Sequence, residues 1–185
     1  MEGHHHHHGK TEVAARSNGN KGGLVVRVLA LILTVAATIV TATNKQTKVV
    51  PLKVFDSLPP VNLPVTAKWH YLSAVLYFLV TNAISCAYAA VSLLLTAANK
   101  GGKSKSLRIL IFVLDAFMVA LLFSGVGAAS AVGILGYKGN SHVRWNKVCN
   151  VFGKFCHQMI ASIGLSLLGS LAFLLLVMIP VISSA

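Results

Sequence analysis

The chain has 185 residues, of which 55% are hydrophobic and only 11% are charged, and its mean hydropathy is +0.73. This composition excludes an ordinary water-soluble domain and indicates an all-α integral membrane protein. The net charge of +12 reflects 16 basic against 4 acidic residues, which favours contact with the anionic head groups of membrane lipids. We expect no nucleic-acid binding, because the sequence contains neither a basic helix nor a platform of aromatic and basic side chains.

Residues 1–23 are polar and rich in glycine. We therefore predict a disordered cytoplasmic tail without a cleavable signal peptide. Within this tail, the run His4–His8 is either a native low-complexity tract or an expression tag, and we assign it no function. The first apolar block covers residues 24–43, which as a helix would be about 30 Å long and would match one bilayer core. Only Arg27 interrupts this block.

Three more apolar blocks follow, so we predict a four-transmembrane-helix bundle over residues 24–182. The predicted spans are residues 24–43, 71–98, 107–136 and 155–182. The connecting loops are residues 44–70, 99–106 and 137–154. The first loop contains several prolines, which exclude one regular helix and leave room for short extended segments such as Lys48–Phe55.

The orientation in the membrane follows from the loops. An even number of spans places both termini on the same side. Lysine and arginine are equally frequent on the two sides, but residues 99–106 concentrate basic residues next to two helix ends. Cys149 and Cys156 lie around the end of the last loop, where a disulfide would suit an oxidising exterior. We predict that both termini are cytoplasmic and that loops 44–70 and 137–154 are extracellular.

Two charged residues lie inside predicted spans. A lone charge in hydrocarbon costs roughly 2.5–3.5 kcal/mol on insertion scales, and an opposite charge on another helix offsets this cost. Arg27 lies about 4.5 Å and Asp115 about 12 Å from the same membrane surface, a difference that the long arginine side chain can bridge. Thr34, Thr38 and Thr41 share the helix face of Arg27, which favours an inward orientation. We predict a structural ion pair that fastens the first span to the third.

Two alternatives to this clamp remain open. Arg27 can extend its side chain to the cytoplasmic head groups. Asp115 can act as the proton- or ion-carrying carboxylate of a small transporter or channel. The second alternative is the weaker one, because transporters usually have more spans, broken helices and clustered polar groups.

Small residues recur at four-residue spacing in the last two spans. Such spacing lets helices approach closely, either within one bundle or between protomers. We favour packing within the bundle. The candidate packing residues are Gly125, Ala129 and Gly133 in the third span and Ser162, Ser166 and Ser170 in the fourth.

Cys149 and Cys156 are candidates for a disulfide. In one straight helix their Cα atoms would be about 10.5 Å apart, beyond disulfide reach, so a bond requires a turn such as one at Gly153. Two unpaired thiols are the alternative. A zinc site with His142 and His157 is a third interpretation, although this spacing matches no standard zinc motif.

The sequence contains few residues that are suited to catalysis. The sequence has no nucleophile–base–acid set, no phosphate-binding loop and no redox CxxC motif, and acidic residues number 4. We therefore expect no enzyme activity, no cofactor and no resident metal.

The third and fourth blocks and the loop between them carry a series of motifs in a characteristic order. With the arginine of the first span, this series resembles the Casparian strip membrane protein-like family of plants, most closely its first CASP-like subgroup. A more distant similarity relates it to animal four-span MARVEL proteins. The residues that carry the resemblance are Arg27, Asp115, Gly139, Asn140, Trp145, Cys149, Phe152, Phe155 and Cys156.

The resemblance implies a four-span plasma-membrane protein with cytoplasmic termini that forms homo-oligomers and hetero-oligomers with related family members. Founding members of the family organise an immobile membrane scaffold that guides lignin deposition in cell walls. Loop 44–70 lacks an extended match to those founders, so the expected function is a general membrane-domain organiser. Expected partners are membrane lipids, related chains and wall-modifying enzymes. The resemblance also implies that Trp145 belongs to an extracellular loop motif.

Overall fold

Four long helices and one β-hairpin make up the chain in a computed structural model that describes residues 5–52, 61–98, 105–140, 142 and 147–182. Short 3₁₀ helices at Trp69–Tyr71 and Val148–Asn150 precede the second and fourth long helices. The long elements, in chain order, are α1 (His5–Thr43), β1 (Lys45–Leu52), β2 (Val61–Lys68), α2 (Ser73–Ala98), α3 (Lys105–Lys138) and α4 (Gly153–Ile182).

All four helices contain segments long and apolar enough to cross a membrane, which confirms the predicted all-α four-span bundle. The apolar part of α1 is Gly22–Thr43. At 34 residues, α3 rises about 51 Å and exceeds one hydrocarbon core, so it must tilt or project beyond the membrane. The membrane segment of α1 and the helices α2, α3 and α4 differ from their predicted spans by a few residues at most, as expected for boundaries assigned from hydropathy alone.

Helical backbone begins well before the first span. The sequence predicted a disordered tail over residues 1–23, whereas α1 starts at His5 and is continuous with the membrane segment. The prediction is corrected for residues 5–23. Extending an existing helix adds hydrogen bonds without the cost of a new nucleus, so the apolar segment can propagate helix into its polar flank.

The helices pack as a ring in the order α1–α2–α3–α4, and the contact between α1 and α4 closes the ring. Consequently α1 and α3 occupy opposite corners. Large apolar side chains mostly face outward, as at Leu94 and Ile32, while small and hydroxyl residues line much of the interior. This distribution suits a bilayer, since lipid tails are as apolar as leucine and helix contacts depend on close fit and hydrogen bonds.

The segment between α1 and α2 folds into an antiparallel hairpin. Its register pairs Lys45 with Lys68 at the base and Leu52 with Val61 towards the tip. In a two-stranded sheet each strand is an edge, which explains how Pro51 and Pro64 are tolerated. The predicted extended segment Lys48–Phe55 agrees with β1 as far as Leu52, and its remainder lies outside the described residues.

Candidate functional site

The most buried charges of the described chain form an ion pair between opposite corners of the bundle. Arg27 Nη2 of α1 donates to Asp115 Oδ2 of α3 at 2.6 Å, and Arg27 Nη1 donates to Asp115 Oδ1 at 3.1 Å. The two side chains are 9% and 2% exposed, respectively. Two parallel N–H···O bonds give this contact both strength and a fixed geometry. The guanidinium therefore turns into the bundle and away from the membrane surface.

Helix α2 completes the cluster with two hydroxyl groups. Tyr88 donates to Asp115 Oδ1 at 2.8 Å, and its oxygen also lies 3.1 Å from the carbonyl of Ile111. Ser92 Oγ accepts from Arg27 Nη1 at 2.9 Å. The cluster, defined as Arg27, Tyr88, Ser92 and Asp115, thus joins three of the four helices and gives both charges neutral polar partners.

Sequence reasoning missed Tyr88 and Ser92. The signal that could have found them is a polar row along α2, at the three- and four-residue spacing of one helix face. Without a known partner, such a row in an apolar helix looks like ordinary small-residue packing. The buried polar members of this row are Thr81, Ser85 and Ser92, with Asn82 beside them.

This arrangement stabilises structure and offers little for chemistry. The carboxylate of Asp115 is engaged by Arg27 and Tyr88, so neither charge lacks a partner. Removing one member of a buried pair typically costs about 3–5 kcal/mol, because the other charge is left uncompensated. The geometry therefore fits a fastening between helices.

Hydroxyl groups also line the contact between α1 and α4. Ser162 Oγ lies 2.5 Å from Thr41 Oγ1 and donates to the carbonyl of Ala37 at 2.8 Å. Thr34 and Thr41 are fully buried, and Thr38 is partly buried. The face that the sequence assigned to Arg27 and the threonines thus lies largely against the other helices.

The three serines of α4 differ in their surroundings, although all are buried. Ser162 bonds to α1, whereas Ser170 donates to the carbonyl of Leu167 in its own helix. Ser166 Oγ has no hydrogen-bond partner among the described residues. Beside this row, a Cβ on Gly169 would lie 3.2 Å from Thr34 Cγ2, so α1 and α4 approach closely there.

The predicted packing residues of α3 divide into two groups. At Gly125 an added Cβ would collide with the Thr81 side chain and lie 3.7 Å from Phe78 Cα, so a side chain there would separate α3 from α2. Ala129 is buried against Phe78. Gly133, in contrast, faces open space. Only the first two therefore serve packing within the bundle.

A different row of small residues faces outward on α3. Its members are exposed and follow three- and four-residue spacing along the helix. We call this the outer α3 face. It consists of Ala116, Ala120, Ser124, Gly127 and Ala131.

Cys149 and Cys156 are bonded to each other, with their Cα atoms 5.7 Å apart. The 3₁₀ helix Val148–Asn150 and the start of α4 at Gly153 provide the change of direction that one straight helix could not. With both thiols bonded, neither is available for a zinc site with His142 and His157. Among the described residues no group of three His, Cys, Asp or Glu side chains could hold a metal ion. The motif residue Trp145 lies outside the described residues.

The hairpin and the disulfide meet at one end of the bundle. Asn44 Nδ2 donates to the carbonyl of Phe155 at 3.0 Å, and Phe155 N donates to Gln46 Oε1 at 2.8 Å. An apolar cluster of Val75, Phe152, Phe155 and Met159 lies beneath them. The connections at this end thus form one cross-linked layer.

Comparison with known proteins agrees with this architecture. A family model for the Casparian strip membrane protein domain matches residues 16–172. The chain is similar to CASP-like protein 1E2 of Glycine max, at 64% identity over 180 residues that cover 97% of this chain and 96% of the relative. It is also similar to CASP-like protein 1E1 of Arabidopsis thaliana, at 48% identity over 170 residues, 91% of this chain and 90% of the relative.

CASP-like protein 1E1 of Glycine max is 70% identical over 159 residues, which cover 86% of this chain and 84% of the relative. No solved structure matches the chain. The resemblance inferred from the sequence is confirmed, and the chain belongs to the Casparian strip membrane protein family, among its CASP-like members.

Proposed function

We propose that this protein is a non-enzymatic scaffold of the plasma membrane that associates laterally with its own copies and with related chains, and so organises a membrane domain. The observation that carries the proposal is the way its polar groups are distributed. The ion pair and its hydroxyl partners are closed within the bundle, whereas the outward surfaces offer apolar side chains and the outer α3 face.

The outer α3 face is suited to lateral association with another protomer. Small side chains let the backbones of two membrane helices approach closely, and dispersion contacts then favour pairing over contact with lipid. Ala120 and Gly127 are central to this row and exposed, and an added Cβ at Gly127 would meet no described neighbour. A second protomer, identical or related, would therefore meet a shallow groove.

The cross-linked layer of hairpin and disulfide is suited to the side of the membrane that faces the cell wall. With both termini in the cytoplasm, β1, β2 and the disulfide-linked turn would lie outside the cell, where a disulfide is stable. A fixed layer of this kind is suited to contact with wall-modifying enzymes. Accessibility of a tag at each terminus in intact and permeabilised cells tests the orientation.

Photobleaching tests the scaffold function in plant membranes. We expect the tagged full chain to recover slowly and to show several bleaching steps per spot. Ala120→Leu should raise the mobile fraction severalfold, since the larger side chain obstructs close approach. Ala87→Leu, the same change at an exposed site of α2, is the matched control and should leave mobility unchanged.

Two results would argue against a scaffold. Free diffusion of single wild-type chains would contradict the proposed scaffold function. A proton or solute flux through reconstituted vesicles that Asp115→Asn abolishes would favour a transporter or channel.

A further inference from the structure

A crevice of about 760 Å³ opens at the end of the bundle where the membrane segment of α1 and helix α3 both begin. All four helices contribute to its walls. This volume lies within the range of sites that hold small organic ligands, about 300–1,000 Å³. Residues that matter for its chemistry are Arg27, Lys105, Arg108, Ile109, Phe112 and Leu176.

The crevice carries unbalanced positive charge. Arg27 is neutralised by Asp115, and this is the only ion pair among the described side chains. Lys105 and Arg108 also line the crevice and are exposed, and the only described carboxylate that lines it, that of Asp115, is the one bonded to Arg27. The first turn of α3 contains no acidic residue, so the two cations adjoin the positive end of a helix dipole. These positive groups repel one another, and an anion bound between them would reduce that repulsion.

The deeper walls are apolar. Ile109 and Phe112 of α3 face the crevice together with Leu176 of α4, which is buried. A free inorganic anion would gain nothing from these walls. A molecule with a negative head and a hydrocarbon tail would gain from both parts, because burial of apolar surface adds to the charge attraction.

Arg27 can contribute as well. Its hydrogen bonds to described residues use three of its N–H groups, two on Asp115 and one on Ser92. A guanidinium has five N–H donors, so two remain for an oxyanion in the crevice.

We propose that this crevice binds one anionic phospholipid. The head-group phosphate lies on Lys105 and Arg108, and the first part of an acyl chain lies against Ile109, Phe112 and Leu176. Basic pockets between transmembrane helices are suited to anionic head groups. In the orientation proposed above, the site faces the cytoplasmic leaflet, which holds most of the anionic lipid. The site stands on its own geometry, so it does not depend on lateral assembly.

Native mass spectrometry of the purified full chain tests the proposal. The probes are phosphatidylserine and phosphatidylcholine with identical acyl chains, so that only the head group differs. We expect phosphatidylserine to be retained more strongly. Lys105→Gln combined with Arg108→Gln should weaken its binding roughly 25-fold, since each basic residue near the surface contributes about a fivefold factor.

The matched control is Lys138→Gln combined with Lys154→Gln, which removes the same charge at the opposite membrane end. It should retain the wild-type preference, as should the charge-preserving pair Lys105→Arg and Arg108→Lys. An unchanged preference in the double glutamine variant would overturn the site.

A soluble competitor separates the two sources of phosphate. Glycerophosphoserine carries the same head group without acyl chains. We expect it to compete at least tenfold more weakly than the lipid. Equal competition would mean that the crevice takes a free phosphate ester, and the assignment to a lipid would then be wrong.

Discussion

Arg27 of α1 and Asp115 of α3 meet across the diagonal of the helix ring, with Nη2 and Oδ2 2.6 Å apart. Neighbouring helices have long contacts of their own, but these opposite corners have few. A bond across the diagonal therefore fixes the shape of the ring in a way that neighbour packing alone does not.

Loss of one charge should destabilise the bundle. Asp115→Ala leaves the Arg27 guanidinium buried without its counter-charge, and we expect a cost of about 3–5 kcal/mol. Reversible unfolding in mixed micelles measures it. The exchange Arg27→Asp with Asp115→Arg should restore part of the loss only, because Tyr88 can no longer donate to a carboxylate at residue 115. Wild-type stability of the single variant would contradict the fastening role.

Tyr88 should contribute through its hydroxyl group. Tyr88→Phe keeps the ring and removes the bond to the Asp115 carboxylate, so we expect a loss of about 1.5–3 kcal/mol, as for other hydrogen bonds to charged groups. The same unfolding measurement applies. Tyr77→Phe is the matched control, since among the described residues Tyr77 bonds only to the exposed Ser124, and a bond of that kind averages about 0.6 kcal/mol in membranes. Equal losses in the two variants would remove the special role of Tyr88.

The two glycines of the predicted α3 row should respond differently to one methyl group. Gly125→Ala places a Cβ against Thr81 and should cost about 1–3 kcal/mol by separating α2 from α3. Gly133→Ala meets open space and should be neutral or stabilising by up to about 1 kcal/mol, through helix propensity. Thermal unfolding of both variants in one detergent decides the matter. A neutral Gly125→Ala would show that α2 and α3 are not in close contact there.

The disulfide should stabilise the turn into α4. Its bond closes a short loop, with a sequence separation of 7, for which chain entropy predicts about 2–3 kcal/mol. We expect dithiothreitol to lower the melting temperature of the wild type but not of Cys149→Ser with Cys156→Ser. Cys86→Ser should keep the reductant response, because Cys86 is a free thiol in α2. A wild-type protein that does not respond to reductant would contradict this contribution.

The sequence by itself determined the membrane class, the number of spans and the family. These follow from hydropathy and from local motif order, which do not depend on how the helices meet. It also selected Arg27 and Asp115, because a charge in hydrocarbon is costly enough to require a partner.

Only the tertiary structure decided which partners meet. Hydropathy cannot rank one small residue above another, so it could not separate Gly125, which touches α2, from Gly133, which faces outward. Nor could hydropathy show that Tyr88 and Ser92 bond to the ion pair. Hydroxyl groups are common in membrane helices, and only the packing of the helices shows which of them contact a charge. Helix order around the ring, set by side-chain fit over the whole bundle, places those groups together.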